Sequence, residues 1–189
     1  MFKEYTTGNV EAIHPNLRLA VYRIAIEQGG EKEYKAVRNE FASTKTIDGK
    51  EICLLSLGRV RTKNLVDDFL DFQFSNEVAL QDIHAGSVSL AANVKARDAL
   101  WAYMQQNWEK VSEKLSINPV VLDRYIKTTL SKFSSHKMEQ EISSFFKDKD
   151  TEAYDRGLVQ VSDSVRANAN YKERDEQLVL EWLKAHGYL

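Results

Sequence analysis

The sequence is poor in the residues that cross-link or interrupt a chain. Its 189 residues include one cysteine, two prolines and eight glycines. A single cysteine, Cys53, forms no internal disulfide, which excludes a disulfide scaffold and fits a reducing compartment. The prolines are Pro15 and Pro119, and no glycine lies between Gly86 and Gly157. So few helix breakers in a chain of this length predict a helical protein.

An excess of charge of either sign is also missing. The chain has 26 Lys and Arg against 28 Asp and Glu, a formal net charge of −2. A binder of nucleic acid or of an anionic membrane normally shows a clear basic excess, so neither partner is expected. No run approaches the roughly 18 apolar residues of a membrane span, and the N-terminal residues resemble no secretory signal. These absences, with the lone cysteine, predict a cytoplasmic protein.

Apolar residues recur every three or four positions along most of the chain, as in Leu100, Met104, Trp108, Val111 and Leu115. This spacing is typical of amphipathic helices that bury one face. It predicts helices over about 15–28, 31–43, 50–58, 63–73, 76–83, 85–93, 97–115, 120–133, 137–147, 153–170 and 172–186. Short connections make successive helices antiparallel. We therefore expect an all-α fold over a single domain, 1–189: an α-α superhelix of irregular HEAT/armadillo-like antiparallel helix pairs, with a globular bundle as the alternative.

Residues that begin and end helices punctuate this pattern. Asn118 followed by Pro119 is typical of an N-cap and the first helical residue. The pair Gly29–Gly30 predicts a helix end. Asp48 and Glu51 have the spacing of a capping box.

Sequence motifs for catalysis are not found. The histidines are His14, His84, His136 and His186. None begins a His-Glu-x-x-His zinc motif, and no nucleophile elbow, phosphate-binding loop or dinucleotide-binding loop occurs. His136 and Glu139 are interpreted as a surface pair near a helix start rather than as metal ligands. Cys53 is expected to be a buried, inert thiol.

Three smaller groups have a functional and a structural interpretation. Arg59, Arg61 and Lys63 are either a solvated loop, which we favour, or a site for a carboxylate or phosphate at a helix start. Asp67, Asp68 and Asp71 are interpreted as a solvated acidic face rather than paired catalytic carboxylates. Trp101 and Trp108, seven residues apart on one predicted helix, are expected in the core rather than as a stacking platform.

Several segments resemble one protein family when taken in order. They are Arg97 with 100–108, then 122–127, 138–146 and 171–175. The first resembles the Arg-x-x-x-Trp-x-x-x-x-x-Asn-Trp segment of the puromycin-sensitive-type gluzincin zinc aminopeptidases, in their C-terminal helical domain. This is also called the endoplasmic-reticulum-aminopeptidase-like C-terminal domain. Each motif is short, but their common order over about 180 residues makes the resemblance specific.

The resemblance implies that the chain is a noncatalytic fragment of a larger enzyme. The parent would remove single residues from peptide N-termini with a zinc ion held in its own catalytic domain, so this chain alone is expected to be no enzyme and to bind no cofactor. Its partners would be that catalytic domain and the peptide substrate, whose chamber it would wall. Arg124 and Arg97 are the candidate peptide-contacting residues. Phe2, Tyr5, Val10 and Ile13 are the expected apolar edge left without partners.

Two other functions stay open. The chain could be a free-standing HEAT-like protein-interaction scaffold with no enzymatic parent. It could instead be a small helical enzyme whose site has no recognisable motif.

Overall fold

The amphipathic periodicity of the sequence becomes eleven α-helices without a strand in the computed structural model, which describes residues 1–189. The all-α prediction is confirmed. The helices are α1 (Phe2–Thr6), α2 (Arg18–Gln28), α3 (Glu31–Ser43), α4 (Ile47–Leu57), α5 (Lys63–Gln73), α6 (Ile83–Ala92), α7 (Arg97–Gln106), α8 (Trp108–Ser116), α9 (Pro119–Leu130), α10 (His136–Phe146) and α11 (Asp155–Ala185). Short 3₁₀ turns cover Val10–Ala12, Pro15–Leu17 and Leu80–Asp82. No helix is both long enough and apolar enough to cross a membrane.

The helices stack in two layers. In the first layer α2, α4, α6, α9 and α11 pack side by side in that order. The second layer contains α3, α5, α7 and α10. The Phe41 ring of α3 lies 5.2 Å from the Phe72 ring of α5, and α5 packs on α7. The Trp101 ring of α7 lies 5.1 Å from the Phe145 ring of α10. Neighbours such as α2 and α3, α6 and α7, and α10 and α11 pair across the layers. Stacked antiparallel pairs produce this arrangement, and its HEAT-like classification stays a prediction.

One hydrophobic core runs through the stack. It joins 38 buried residues, from Tyr5 in α1 to Val165 in α11. Leu54, Leu90, Leu100 and Ile126, on four different helices, are fully buried. Each helix therefore contributes its apolar stripe to the same core, which fixes the positions of the polar residues on the opposite faces.

The helix predicted over 97–115 is wrong in one respect, because the structure divides it at Asn107. That residue leaves helical geometry with φ −117° and ψ 23°, and its side-chain amide donates to the Tyr103 carbonyl at 2.9 Å. Trp101 and Trp108 thus lie on different helices, yet both pack edge-on against Phe145, at 5.1 and 5.7 Å. The predicted place in the core is confirmed for Trp101, whereas Trp108 is half-buried and packs against the core from outside.

Other boundaries also differ from the prediction, and the helix expected over 120–133 ends at Leu130. Residues 76–79 are not helical, and the 76–83 prediction shrinks to the 3₁₀ turn Leu80–Asp82, because the chain turns at 76–78 and places Val78 in the core. The predicted helix over 15–28 starts as a 3₁₀ turn and becomes α-helical only at Arg18. The helices expected over 153–170 and 172–186 are one continuous helix, α11, since no glycine or proline separates them.

The predicted helix ends are mostly correct. Asn118 accepts a hydrogen bond from the Val120 amide at 3.1 Å and Pro119 follows it, and Gly29 ends α2. The capping box at Asp48 is wrong. Thr46 caps α4 instead and accepts from the Gly49 amide at 3.1 Å, which moves the helix start upstream.

Candidate functional site

Arg97 lies where three helices meet, and its guanidinium is already occupied. Its Nε donates to the Ala91 carbonyl at the end of α6, and Nη1 donates to the Lys132 carbonyl after α9, both at 2.7 Å. Burial lowers the pKa of the Arg97 guanidinium from its usual value. A cation placed against the carbonyl ends of helices satisfies acceptors that the helices leave unpaired and complements their dipoles.

This geometry leads to a test of stability. Replacing Arg97 by methionine keeps the aliphatic stem and removes both bonds, and we expect it to lower the free energy of unfolding by about 2 kcal/mol. Arg124→Met, at an exposed site, is the matched control and should cost less than about 0.5 kcal/mol. Urea unfolding followed by circular dichroism measures both. Equal midpoints for the two variants would contradict the role of Arg97.

Arg124 has a different environment. It lies on α9, which is flanked by α6 and α11, and it belongs to the exposed line of that helix. Its guanidinium makes no hydrogen bond or ion pair, whereas its neighbours Asp123 and Lys127 pair with each other at 2.7 Å. Arg124 is therefore a free positive charge on the outer face of the first layer.

The basic cluster after α4 is largely exposed, as the solvated-loop interpretation expects, but its cations are paired. Arg59 and Arg61 both contact the carboxylate of Glu27 on α2, at 3.1 and 2.8 Å, and these bonds hold the pKa of Glu27 below its usual value. Lys63 pairs with Asp67 one turn later. Each cation already has a carboxylate partner, so Arg59 and Arg61 tie this segment to α2 and the cluster offers no free charge to a phosphate.

The remaining candidates agree with their structural interpretations. Cys53 is fully buried, and burial raises the pKa of its thiol to about 12. Asp67, Asp68 and Asp71 are exposed, and Asp68 accepts a hydrogen bond from the Tyr34 hydroxyl. His136 lies 3.5 Å from Glu139 at the start of α10, where Arg166 also binds that carboxylate at 2.6 Å. No three His, Cys, Asp or Glu side chains gather as they would around a metal ion.

The sequence does not predict one recurring structural motif, in which a polar side chain donates hydrogen bonds to the backbone carbonyls at the end of a neighbouring helix. Asn93 donates to the Gly58 and Val60 carbonyls at 2.9 and 2.6 Å. Asn168 donates to the carbonyls of Ser131 and Phe133 at 3.0 and 3.1 Å, and Lys114 to those of Phe74 and Ser75 at 2.8 and 2.9 Å. We call Asn93, Asn168, Lys114 and Arg97 the helix-end clamps. Their partners lie about one helix pair away in sequence, so no local motif marks them.

The expected apolar edge is only partly exposed. Tyr5 and Ile13 are buried, because α1 folds back so that the Phe2 and Tyr5 rings lie 5.8 and 5.9 Å from Tyr22. Only Val10 is largely exposed, at 60%. The prediction of an uncovered N-terminal edge is therefore wrong for Tyr5 and Ile13.

A groove of about 380 Å³ lies between α10 and α11. Its floor is apolar, with Ile142, Phe146 and Val161, and Glu139 lies at its side. The Glu139 carboxylate already accepts from Ser162 and Arg166, and these bonds keep its pKa low. The groove therefore presents a neutralised carboxylate, and two unpaired polar side chains of its lining, Ser143 and Lys147, are exposed to solvent.

Comparisons with known proteins point to one family. Residues 1–167 match the ERAP1-like C-terminal domain. The chain is 30% identical over 188 residues to the alanine/arginine aminopeptidase of Saccharomyces cerevisiae, covering 100% of this chain and 22% of that protein. It is also 25% identical over 187 residues to aminopeptidase N of Homo sapiens, covering 96% of this chain and 19% of that protein.

The chain therefore belongs to the ERAP1-like C-terminal domain family. It matches the C-terminal part of larger aminopeptidases and spans about a fifth of the length of these relatives. Aminopeptidase 2 of Saccharomyces cerevisiae, whose name places it in mitochondria, is 30% identical over 188 residues, 100% of this chain and 20% of that protein.

Proposed function

We propose that this chain is the noncatalytic C-terminal domain of a zinc-dependent aminopeptidase, in which it forms one wall of the peptide chamber. The observation that carries the proposal is the match of the whole chain to the C-terminal fifth of aminopeptidases. The zinc ion would be held by the parent's catalytic domain, since the residues here assemble no set of ligands for it. The single, buried cysteine is compatible with a cytoplasmic parent.

The outer face of the first layer is the surface best suited to the chamber. It is a row of rigid helices, and α9 presents Arg124 there without a partner charge. A wall of this kind excludes folded proteins by shape and leaves room for extended peptides. The Arg124 guanidinium would pair with the carboxylate at the far end of a peptide, in the two-pronged geometry that arginine and carboxylate favour.

The parent enzyme is tested first in an extract of its source. An antibody raised against this chain should detect a band several times heavier than 21.7 kDa that co-fractionates with chelator-sensitive aminopeptidase activity. A dominant band at 21.7 kDa without that activity would favour the free-standing interaction scaffold and contradict the proposal.

The role of Arg124 has its own test in the parent enzyme. Arg124→Glu should raise KM for a peptide with a free C-terminal carboxylate on the order of tenfold, because an attractive contact becomes a repulsive one. The same peptide with an amidated C-terminus should change by less than about twofold. Steady-state kinetics on both peptides measure the difference.

Lys137→Glu is the matched control, because Lys137 is an exposed cation on α10 in the other layer. It should leave both peptides unaffected. If Arg124→Glu and Lys137→Glu have the same effect, or if the amidated peptide is affected equally, Arg124 does not face the peptide.

A further inference from the structure

The second half of α11 buries no side chain inside the domain, and it touches the rest of the chain only near its beginning, where Glu173 lies 3.6 Å from His136. The helix is 31 residues long, and Ala169 is its last buried residue. At about 1.5 Å per residue, the segment from Asn170 to Ala185 projects about 24 Å past the stack. A helix this exposed is stable alone only if its surface is polar or another element covers it.

Its surface is not polar all round. Tyr171, Leu178 and Trp182 recur at the spacing of one helix face and are 61%, 64% and 54% exposed. Val179 borders them at 49% exposure. We call these four side chains the α11 stripe. Together with Asp175 they line a shallow groove of about 260 Å³. A contiguous exposed apolar patch containing a tryptophan and a tyrosine is typical of an interaction surface.

Val179 at the border of the α11 stripe, together with Leu183, continues the face by which α11 is packed upstream, whereas Tyr171, Leu178 and Trp182 lie to one side of that face. Val179 follows Val161 by 18 residues, and Leu183 follows Val165 by the same distance, which is five full turns. Val161 and Val165 are fully buried, and α11 packs there on α9 and α10. The apolar face therefore runs beyond the point at which this domain supplies neighbours for it.

Trp182 in the α11 stripe has aromatic neighbours, and the groove carries no unpaired carboxylate. Trp182 stacks on His186 at 4.1 Å and on Tyr188 at 5.8 Å between ring centroids. Asp175, the one carboxylate in the groove, is neutralised by two bonds of 2.8 Å from Arg174. An aromatic anchor without a free charge fits an apolar partner surface.

We propose that the α11 stripe docks onto an apolar surface of the parent polypeptide outside this domain. This inference rests on the proposed function. The match to the domain family ends at residue 167, whereas the match to the yeast aminopeptidase covers 100% of the chain. The projecting segment is thus shared with a whole aminopeptidase while lying outside the helical domain that the family defines.

The area favours a tethered partner over a second copy of the chain. Four half-exposed side chains offer on the order of 400 Å². Separate proteins bury about 800 Å² each in a stable complex. Two surfaces of one polypeptide need less, because the linkage gives them a high effective concentration. About four fifths of each relative lies outside the matched region, which leaves ample surface for the contact.

Amide hydrogen exchange of the full-length parent tests the docking. In the unaltered parent, amides of 171–185 should be protected, and Trp182→Asp should accelerate their exchange by at least tenfold because a buried anchor becomes a charge. Trp182→Phe should keep most of the protection. Ile117→Asp, at a residue that is 78% exposed after α8, should change nothing in 171–185.

Each outcome decides the proposal. The proposal is supported if Trp182→Asp loses the protection of 171–185 while Trp182→Phe and Ile117→Asp keep it. Fast exchange of 171–185 in the unaltered parent, or equal exchange in all variants, overturns it. Sedimentation of the same samples tests whether a second copy of the protein binds the α11 stripe instead. A dimer that Trp182→Asp converts to a monomer would assign the α11 stripe to that second copy and overturn the proposal. Absence of chelator-sensitive aminopeptidase activity from the parent would reject the proposed function separately, since activity and exchange are read independently.

Discussion

Replacing Asn93 by leucine is expected to lower the free energy of unfolding by about 3 kcal/mol. The Asn93 amide donates to the Gly58 and Val60 carbonyls at 2.9 and 2.6 Å, and its oxygen accepts from the Lys95 amide at 3.0 Å. Leucine has nearly the same shape but leaves the two carbonyls, on buried residues, without these donors. An unsatisfied buried polar group costs about 1–3 kcal/mol, so two of them outweigh any gain from the apolar side chain.

Urea unfolding of the chain measures this loss as a lower midpoint with an unchanged slope. Asn170→Leu is the control, because Asn170 is exposed on α11 and its side chain makes no hydrogen bond. It should shift the free energy by less than about 0.5 kcal/mol. If Asn93→Leu unfolds at the same urea concentration as this control, the helix-end clamps do not stabilise the stack.

The sequence predicts the helices well because tertiary packing selects the same periodic faces that a pattern search detects. It fails at Asn107 for a physical reason. Leu100 and Met104 before the break, and Val111 and Leu115 after it, are all fully buried, so both helices present their apolar stripes to one core. A break that preserves the buried face leaves the periodicity intact, and only the modest helix propensity of Asn107 marks it.

The opposite error affects α11. The apolar periodicity is weak around Asn170, where α11 stops packing on the other helices of the core. This weakness leads to the prediction of a helix boundary at that point. The backbone continues because neither glycine nor proline interrupts the helix there, and Asn168 binds carbonyls outside α11 instead of capping it. Helix ends are set by caps, and the apolar pattern reports only the packing.

The sequence predicts the candidate site residues only through the family resemblance. That resemblance selects Arg97 and Arg124, but it does not distinguish their environments. The Arg97 side chain binds carbonyls 6 and 35 positions away, and this depends on how α6 and α9 stack. Contacts between helices carry no local period, so the clamp role of Arg97 emerges only from the structure.

Gly58 is a position where an added methyl group would meet the backbone of a neighbouring helix. A Cβ there would lie 2.7 Å from the Leu90 backbone nitrogen and 2.7 Å from the Ser89 Cβ. Leu90 is fully buried in α6, so that helix has no free space into which to retreat. Gly58→Ala therefore forces α4 and α6 apart, and it strains the bond from Asn93 to the Gly58 carbonyl. We expect a cost of about 3 kcal/mol.

Thermal unfolding gives the measurement. For a chain of this size, 3 kcal/mol corresponds to a fall in Tm of about 10 °C. Gly30→Ala is the control, because a Cβ at Gly30 meets nothing within 4 Å. Since alanine is a poorer N-cap than glycine, the control should cost at most about 1 kcal/mol. A Gly58→Ala variant as stable as Gly30→Ala would show that α4 and α6 separate freely, and the close packing of these two helices would then not hold the first layer together.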